Sequence, residues 1–535
     1  MSNPIKNLES GFGYEIYPRT FNDTDANGVG DIKGIIEKLP YLSFLGINKI
    51  WICPIFVSPG VDCGYDVEDY FNIGNDFGTI EDLEELIAKA RQYNIGILLD
   101  LVPNHCSNKH TLFQKALSGL NSEERDMFIF RDPKEDGTPP NNWLSHFGGP
   151  AWTLDRASGQ YYLHLFYSEQ PDFNWRNPKV HEYFENVLRF WLELGLAGFR
   201  IDVTQGLYKE DGLTDANIID PNLSDDASVD AKFKNLDPSN YYCLPETPKV
   251  FEQWKKIASE YGAILIGEMA TSTEERLMPY FSNDGMDSVT YLESCWSSWE
   301  PKRIIKYFKE GEEKFRNRIT WMMSNHDNKR AVTRYGGGAL GLKRALATTS
   351  FSSLVSGIPF LYQGEELGLE DTPVEYENLR DLVGINFPDN PENGRDPCRT
   401  NMPWDSNRKW QGFSDSEKPW LTSPDRALNN CVDVQLADEN SPLYSYKNAV
   451  ALRSTIYSQI IENNYDFEYF GSETLYGYLA GPFLVALNAD SIDVKHDIEG
   501  KWVKCYCSDL SLDTTQINIG NVTFTSEATT VFKKR

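Results

Sequence analysis

Three acids in this 535-residue chain each close an apolar, strand-like run. Asp202 ends Gly198-Phe199-Arg200-Ile201, and Glu268 ends Ala263-Ile264-Leu265-Ile266-Gly267. Asp327 ends Ile319-Thr320-Trp321-Met322-Met323-Ser324-Asn325-His326. The strands of a parallel barrel all deliver their C-terminal ends to one mouth, and chemistry is done there. Three carboxyl groups converging in such a mouth suit cleavage of a glycosidic bond. One attacks the anomeric carbon, one protonates the leaving oxygen, and one steadies the cationic transition state. Side chains two apart on a strand share a face, so Arg200 and Asp202 should enter the mouth together while Phe199 and Ile201 pack outward. A guanidinium beside Asp202 is expected to lower its pKa and keep it ionised, as a nucleophile must be.

The elements that would position these residues are legible too. Strand-like runs alternate with amphipathic helices, which predicts a parallel sheet with crossover helices. Eight strands are expected, at 13–17, 49–53, 97–101, 198–202, 263–267, 288–292, 320–324 and 359–362. Between the second and third, Leu83, Leu86, Ile87 and Ala90 make one apolar stripe at helical spacing. Eight such repeats indicate an α/β fold, a (β/α)8 TIM barrel. Residues 105–174, rich in Trp, Tyr, Pro and Gly, are too long for a plain crossover and read as a subdomain inserted over the mouth. Two further polar insertions run over 205–248 and 365–420. Toward the C-terminus the pattern turns to short strands, with 476–479 and 483–487 split by Gly481-Pro482 as a hairpin. The expected division is a barrel over 1–104 and 175–454, the insertion at 105–174, and a β-sandwich-like C-terminal domain at 455–535.

Composition narrows the partners. Aromatic residues make up 13% of the chain, supplying core volume and ring faces of the kind that stack on sugars. The formal net charge of −28 repels polyanions, which argues against nucleic acid and anionic membranes and for an uncharged substrate. No apolar run approaches the length of a transmembrane helix, and the first ten residues lack the basic start and apolar segment of a secretory signal. Nine cysteines are scattered, and Cys505 and Cys507 have no second pair to complete a zinc site. Free thiols in a reducing cytoplasm are the expected state.

Longer stretches carry a resemblance. Asp100-Leu101-Val102-Pro103-Asn104-His105, Gly198-Phe199-Arg200-Ile201-Asp202-Val203, Ile266-Gly267-Glu268-Met269 and Ser324-Asn325-His326-Asp327-Asn328 occur in this order at strand ends. Together they resemble the α-amylase family of retaining glycoside hydrolases over nearly the whole chain. Gln170-Pro171-Asp172-Phe173-Asn174 is similar to the signature of the oligo-1,6-glucosidase subfamily. Gly394-Arg395-Asp396-Pro397-Cys398-Arg399 and Met402-Pro403-Trp404-Asp405 resemble bacterial α-glucosidases.

The resemblance implies Asp202 as nucleophile, Glu268 as acid/base, and Asp327 as acceptor for ring hydroxyls. It places His105 and His326 on the hydroxyls of the sugar being cleaved, with Arg200 beside the nucleophile. Asp66 would hold the distal hydroxyls of the terminal glucose, Tyr65 would stack on that ring, and Arg395 would close the pocket. Phe147 and Phe166 in the insertion are expected to wall the site. Val203 should border the leaving sugar; in related α-glucosidases Val at this place accompanies α-1,6 activity, and Ala or Thr accompanies α-1,4 preference.

One further run, Asp23-Thr24-Asp25-Ala26-Asn27-Gly28-Val29-Gly30-Asp31, follows the calcium-loop plan. Asp23, Asp25, Asn27 and Asp31 offer oxygen ligands, Val29 a backbone carbonyl, and Gly28 the sharp turn. Gly34 stands where an EF-hand has Glu, so this is not one. The resembling subfamily carries such a loop, binding calcium or magnesium structurally; an ordinary Asx-rich turn is the competing reading. No catalytic cofactor is expected.

The expectation is therefore an exo-acting α-glucosidase that takes short oligosaccharides or disaccharides through a covalent glucosyl-enzyme, as monomer or homodimer, with glucosyl transfer as a side activity. Within the family the alternatives are a sucrose isomerase or glucosyltransferase and a trehalose-6-phosphate hydrolase. From another class, a non-catalytic glycosidase-like subunit would lack the acids and carry a membrane anchor.

Overall fold

The computed structural model describes residues 11–224, 227–270, 273–386, 394–510 and 517–535. Eight parallel strands close into a barrel: β1 Gly13–Ile16, β2 Lys49–Ile52, β3 Gly96–Leu101, β4 Gly198–Ile201, β5 Ile264–Met269, β6 Ser288–Tyr291, β7 Ile319–Met322 and β8 Ile358–Tyr362. They pair in chain order and β8 returns to β1. All eight expected strands are present, so the fold is the TIM barrel that the alternation predicts.

The period of two sorts the side chains. Trp51, Leu98, Ile264, Ile266, Met322, Ile358 and Phe360 fill the lumen as one apolar cluster. Ile50, Ile52, Leu99, Phe199, Ile201 and Leu265 point the other way, into the layer beneath the helices. That outer layer is built by α1 Ile32–Phe44, α2 Ile80–Gln92, α3 Pro178–Glu193, α4 Thr247–Tyr261, α5 Pro301–Glu310, α6 Gly338–Leu354 and α7 Pro442–Asn463. On α2 the buried residues are the expected stripe, Leu83, Leu86, Ile87 and Ala90, and Thr79 with Asp82 forms a capping box at its start. Between β5 and β6 the helical link shrinks to Glu274–Leu277 and a 3-10 stretch. Gly198 opens β4 at φ 152°, and a Cβ there would stand 2.1 Å from the carbonyl oxygen of Ile264, so only glycine lets β4 and β5 approach.

Registers align the functional residues. Asp100 on β3 pairs with Arg200 on β4, and Arg200 pairs with Ile266 on β5, two residues before Glu268 on the same face. The connection from β3 to α3 carries a three-stranded antiparallel sheet of Phe130–Arg131, Trp152–Asp155 and Gln160–Leu163. At the C-terminus, β9 Glu468–Gly471, β10 Leu475–Ala480, β11 Phe483–Asn488, β12 Val494–Cys507, β13 Ile517–Phe524 and β14 Ala528–Lys534 form one six-stranded antiparallel sheet. It was expected as sandwich-like; it is a single sheet whose inner face packs on α6. The hairpin is as expected, with Ala480 opposite Phe483 across Gly481-Pro482. The expected boundary at 454/455 falls inside α7, because the polar, β-branched stretch after Ser454 continues the helix instead of starting a strand. All nine cysteines are free. Among the described residues, no helix is long and apolar enough to cross a membrane.

Candidate active site

The lumen face of β3, β4 and β5 turns polar at its C-terminal end. Arg200 Nη1 donates to Asp202 Oδ1 at 2.7 Å and to Asp100 Oδ1 at 2.9 Å, while Nη2 reaches Glu268 Oε1 at 2.7 Å. Its guanidinium also lies over the Trp51 ring, 4.8 Å from the centroid. One guanidinium therefore serves three buried or half-buried acids. Burial pushes the Asp202 carboxyl well above the usual carboxylate range; Arg200 pulls against that shift, and Glu268 and Asp100 add to it. The expectation that Arg200 would give a net lowering is corrected here: loss of water around the buried carboxyl outweighs the guanidinium, and the charges of Glu268 and Asp100 add to the rise. Asp100 is raised to about 6 by burial, against the opposing pull of Arg200.

Val203, directly after the nucleophile position, adopts a left-handed conformation at φ 43°, ψ 47°. A β-branched residue pays for this geometry with strain, and such residues cluster at functional sites. The twist directs the Val203 N–H to Glu268 Oε2 at 3.1 Å, so strand β4 holds the acid of β5 through backbone as well as through Arg200.

Asp327 lies beyond the end of β7 and is held by three cations. His326 Nε2 stands 3.1 Å from Oδ2, and Arg399 and Arg395 donate to Oδ1 at 2.7 and 3.3 Å. Burial would raise its carboxyl, but His326, Arg395 and Arg399 hold it well below the usual range. Arg395 also donates to Asp62 at 2.7 Å and to Asp381 at 2.9 Å, and its guanidinium packs over the Phe147 ring. It ties the loops after β2, β7 and β8 to the inserted subdomain.

A cavity of about 350 Å3 opens at this mouth. Asp202, Glu268 and Asp327 line it together with Tyr65, His105, Phe147, Phe166, Val203 and Arg395. Arg200 and His326 sit behind that lining, buried at 3% and 0% exposure. Asp66 does not reach the cavity: its carboxylate accepts from Ser58 Oγ, Val61 N and Asp62 N and holds the loop. Asp62 lines the cavity instead. Left-handed Cys63 and Gly64 turn the chain between them, at φ 53° and 118°, so Asp62 and Tyr65 face in while Asp66 faces back. Both acids lie in one short run, and nothing in the sequence says which faces inward.

Several residues here were not singled out by sequence reasoning: Asp62, Asp100, Arg399, His146, Gln205 and Tyr242. Asp100 and Arg399 lay inside quoted motifs; Asp62 lies in the loop after β2, and His146, Gln205 and Tyr242 in the insertions, with no further signal. Gln170, in the resembling signature, donates to Asp62 Oδ2 at 3.0 Å and stands 3.1 Å from His105 Nε2, so that run is scaffold for the wall. Burial pushes His105 down to about 4 and His146 to about 3, so both are neutral at physiological pH.

The candidate metal loop lies apart, at the start of α1. Carboxyl oxygens of Asp23, Asp25 and Asp31 converge within 4.8 Å of one another. Asn27 Oδ1 accepts from Val29 N at 2.7 Å, and Asp31 also caps α1 by accepting from Gly34 N. Burial raises the Asp31 carboxyl and the charge of Asp25 adds to it, a repulsion that a hard cation relieves.

A closed parallel barrel with three acids in its C-terminal mouth, under an inserted subdomain, defines a glycoside hydrolase arrangement. The chain belongs to the α-amylase family of glycoside hydrolases: the family model "Alpha amylase, catalytic domain" matches residues 15–463. It is similar to the trehalose-6-phosphate hydrolase of Bacillus subtilis (strain 168), 33% identical over 506 residues, which cover 87% of this chain and 86% of the relative. It is 36% identical over 457 residues to a probable alpha-glucosidase of Rhizobium meliloti (strain 1021), covering 82% and 81%. Among solved structures, the alpha-glucosyl transfer enzyme XgtA superimposes with a TM-score of 0.88 at 31% identity, over 99% of each chain.

Proposed function

We propose that this enzyme is an exo-acting, retaining α-glucosidase that releases glucose from short, uncharged α-glucosides. The observation that carries the reading is the convergence of Asp202, Glu268 and Asp327 on one cavity. Arg395, bound to Asp62, Asp381 and Asp327 in the wall of that cavity, would close it to all but a chain terminus.

In the first step Asp202 reacts in its ionised form, the form that its bond from Arg200 favours, and attacks the anomeric carbon through Oδ2, since Arg200 holds Oδ1. The bond to the leaving oxygen breaks as Glu268 gives that oxygen its proton. In the second step Glu268 takes a proton from water, which attacks the same carbon and frees Asp202. Asp327, kept ionised by its three cations, accepts hydrogen bonds from ring hydroxyls. A sugar hydroxyl entering in place of water gives glucosyl transfer.

A neutral substrate is favoured over a phosphorylated one. The only arginine among the described lining residues is Arg395, which is consumed by three carboxylates, and His105 and His146 are neutral. Among the described lining residues a phosphate would find Asp230 and Glu268 but no free cation. Val203 beside the nucleophile narrows the space for an α-1,4-linked leaving ring and supports α-1,6 bonds. Asp23, Asp25, Asn27, the Val29 carbonyl and Asp31 would hold a structural calcium or magnesium ion, which stabilises the loop at the start of α1. Nine free thiols support a reducing cytoplasm as the working compartment.

The test is glucose release from maltose, isomaltose, sucrose, trehalose and trehalose 6-phosphate, with the first-formed anomer read by NMR. α-Glucose from isomaltose, and little turnover of the phosphorylated sugar, is the expected result. β-Glucose as first product, or preference for trehalose 6-phosphate, overturns the reading.

A further inference from the structure

Behind the cavity, the buried His326 is flanked on both sides by acids. Glu15, on the lumen face of β1 and fully buried, places Oε1 2.6 Å from His326 Nδ1. The same oxygen lies 3.3 Å from the His326 backbone N–H and 3.6 Å from Cys53 Sγ. On the other side, Nε2 stands 3.1 Å from Asp327 Oδ2 and 2.8 Å from the Tyr65 hydroxyl. The Tyr65 ring stacks on the imidazole at 4° between planes.

Counting protons settles the state of the ring. Tyr65 donates its hydroxyl proton to Asp100 Oδ2 at 2.8 Å, so toward His326 its oxygen accepts. Asp327, ionised by its cations, also accepts. Nε2 must then carry a proton. At Nδ1, three potential donors converge on Glu15 Oε1: the ring nitrogen, the backbone N–H and the Cys53 thiol, which burial pushes up to about 12 and so keeps neutral. The backbone N–H, and the thiol that lies 3.6 Å from both Oε1 and Nδ1, mark Oε1 as an accepting oxygen, so Nδ1 at 2.6 Å is the donor and carries a proton as well.

We infer that Glu15, His326 and Asp327 form a buried carboxylate–imidazolium–carboxylate relay, in which Glu15 is a positioning residue that holds His326 doubly protonated against the back of Asp327. The remaining groups around the ring fit this state. Tyr17 stacks on it at 6.0 Å and Trp51 meets it edge-on at 5.8 Å, while Arg399, the nearest other cation, donates to the His326 carbonyl and not to the ring. Arg200 lies beyond Trp51 and Tyr65. Burial alone would strip the ring of its charge; Asp327, with a smaller part from Cys53, raises its pKa well above the ordinary histidine value. The relay holds Asp327 through Oδ2, while Arg399 and Arg395 hold Oδ1. Its consequence for turnover rests on the glucosidase reading; the protonation state does not.

The experiment labels the seven histidines with 15N and follows the ring nitrogens of the intact enzyme against pH, with His326→Gln identifying the signal. Both nitrogens of His326 should stay protonated through neutral pH and beyond. Glu15→Gln keeps an acceptor for Nδ1–H but removes the charge, so His326 should lose its proton at lower pH. With an aryl α-glucoside, the same variant should lower kcat/KM by about 10- to 100-fold, the range of a hydrogen bond to a charged group. The alkaline limb of its pH profile should also move to lower pH. A wild-type His326 with one bare nitrogen at pH 7 overturns the relay, whether or not the enzyme cleaves the glucoside. So does a Glu15→Gln enzyme with unchanged ring titration and pH profile. Should Glu15→Gln fail to fold, the wild-type spectrum alone decides.

Discussion

At the scale of single residues, Asp202 and Glu268 hang on opposite nitrogens of one guanidinium, yet they should respond differently to removal. Asp202→Asn leaves no oxygen anion to bond the anomeric carbon, and kcat should fall on the order of 10⁴-fold or more, as for other lost nucleophiles. Glu268→Gln should be as damaging with isomaltose but milder with activated aryl glucosides, whose leaving groups need little protonation. Steady-state kinetics on both substrate types checks this; a folded Asp202→Asn enzyme keeping about a tenth of its activity would refute the assignment. Val203 offers a finer test. Its side chain lines the cavity and its N–H holds Glu268, so Val203→Ala removes two methyl groups while keeping the backbone bond. A change of this size in a pocket shifts preference by about 1–3 kcal/mol, and the kcat/KM ratio of isomaltose to maltose should move toward maltose. A ratio that stays put, or moves toward isomaltose, leaves Val203 as packing.

At the scale of elements, the loop over 23–31 and helix α1 share Asp31. The residue caps the helix through Gly34 N and belongs to the converging carboxylates. A cation bound to the folded loop and not to the unfolded chain stabilises by mass action, about 2.7 kcal/mol when present at 100 times its Kd. Chelation should therefore lower the melting temperature, and calcium or magnesium should restore it. Turnover at low temperature should barely change, because none of these residues lines the active-site cavity. A melting curve indifferent to chelator and cation, with no metal in the purified protein, returns the loop to an Asx-rich turn.

At the scale of the molecule, the barrel and the C-terminal sheet are joined through α6. Tyr478 OH donates to Leu354 O at 2.6 Å, Thr529 Oγ1 donates to Ala347 O at 2.7 Å, Ser350 and Tyr506 hydroxyls meet at 2.6 Å, and Arg344 pairs with Glu527 at 2.7 Å. Every residue from Ala345 to Leu354 is buried, including Thr348, Thr349, Ser350, Ser352 and Ser353. Ending the chain after Asn463 would uncover this face. Each large apolar side chain laid bare costs about 1.5–3 kcal/mol, and a whole domain is stable by only about 5–15 kcal/mol. The shortened protein should be insoluble or fail to melt cooperatively, whereas the full chain should unfold with barrel and sheet in one calorimetric transition. A soluble, active truncation would show that the sheet is dispensable.

The periodicities that define the barrel are local. Eight strands, the α2 stripe and the hairpin at Gly481-Pro482 could be read from the chain because side-chain alternation and helical spacing act within a few residues. The three acids were legible for the same reason: each closes an apolar run, and a parallel barrel brings all such ends to one mouth. What faces that mouth within a loop was not legible. Asp62 and Asp66 are four residues apart, and the left-handed turn at Cys63 and Gly64 decides which one enters the cavity. The end of the barrel was misjudged at 454 because the polar, β-branched stretch after Ser454 gives little local sign of a helix, although Ile456, Tyr457 and Ile460 extend the buried face of α7. The charge state of Asp202 was also beyond local reading. Arg200, two residues away, argued for a lowered pKa, but closure of the barrel buries the carboxyl, which reverses the balance, and Glu268 and Asp100 arriving from neighbouring strands add to it. Glu15 illustrates the same limit, lying 311 residues from His326 in the chain and 2.6 Å from it in the fold. Sequence determines what each strand delivers to the mouth; only closure of the barrel decides which charges meet there, because electrostatics depends on distance in space and not along the chain.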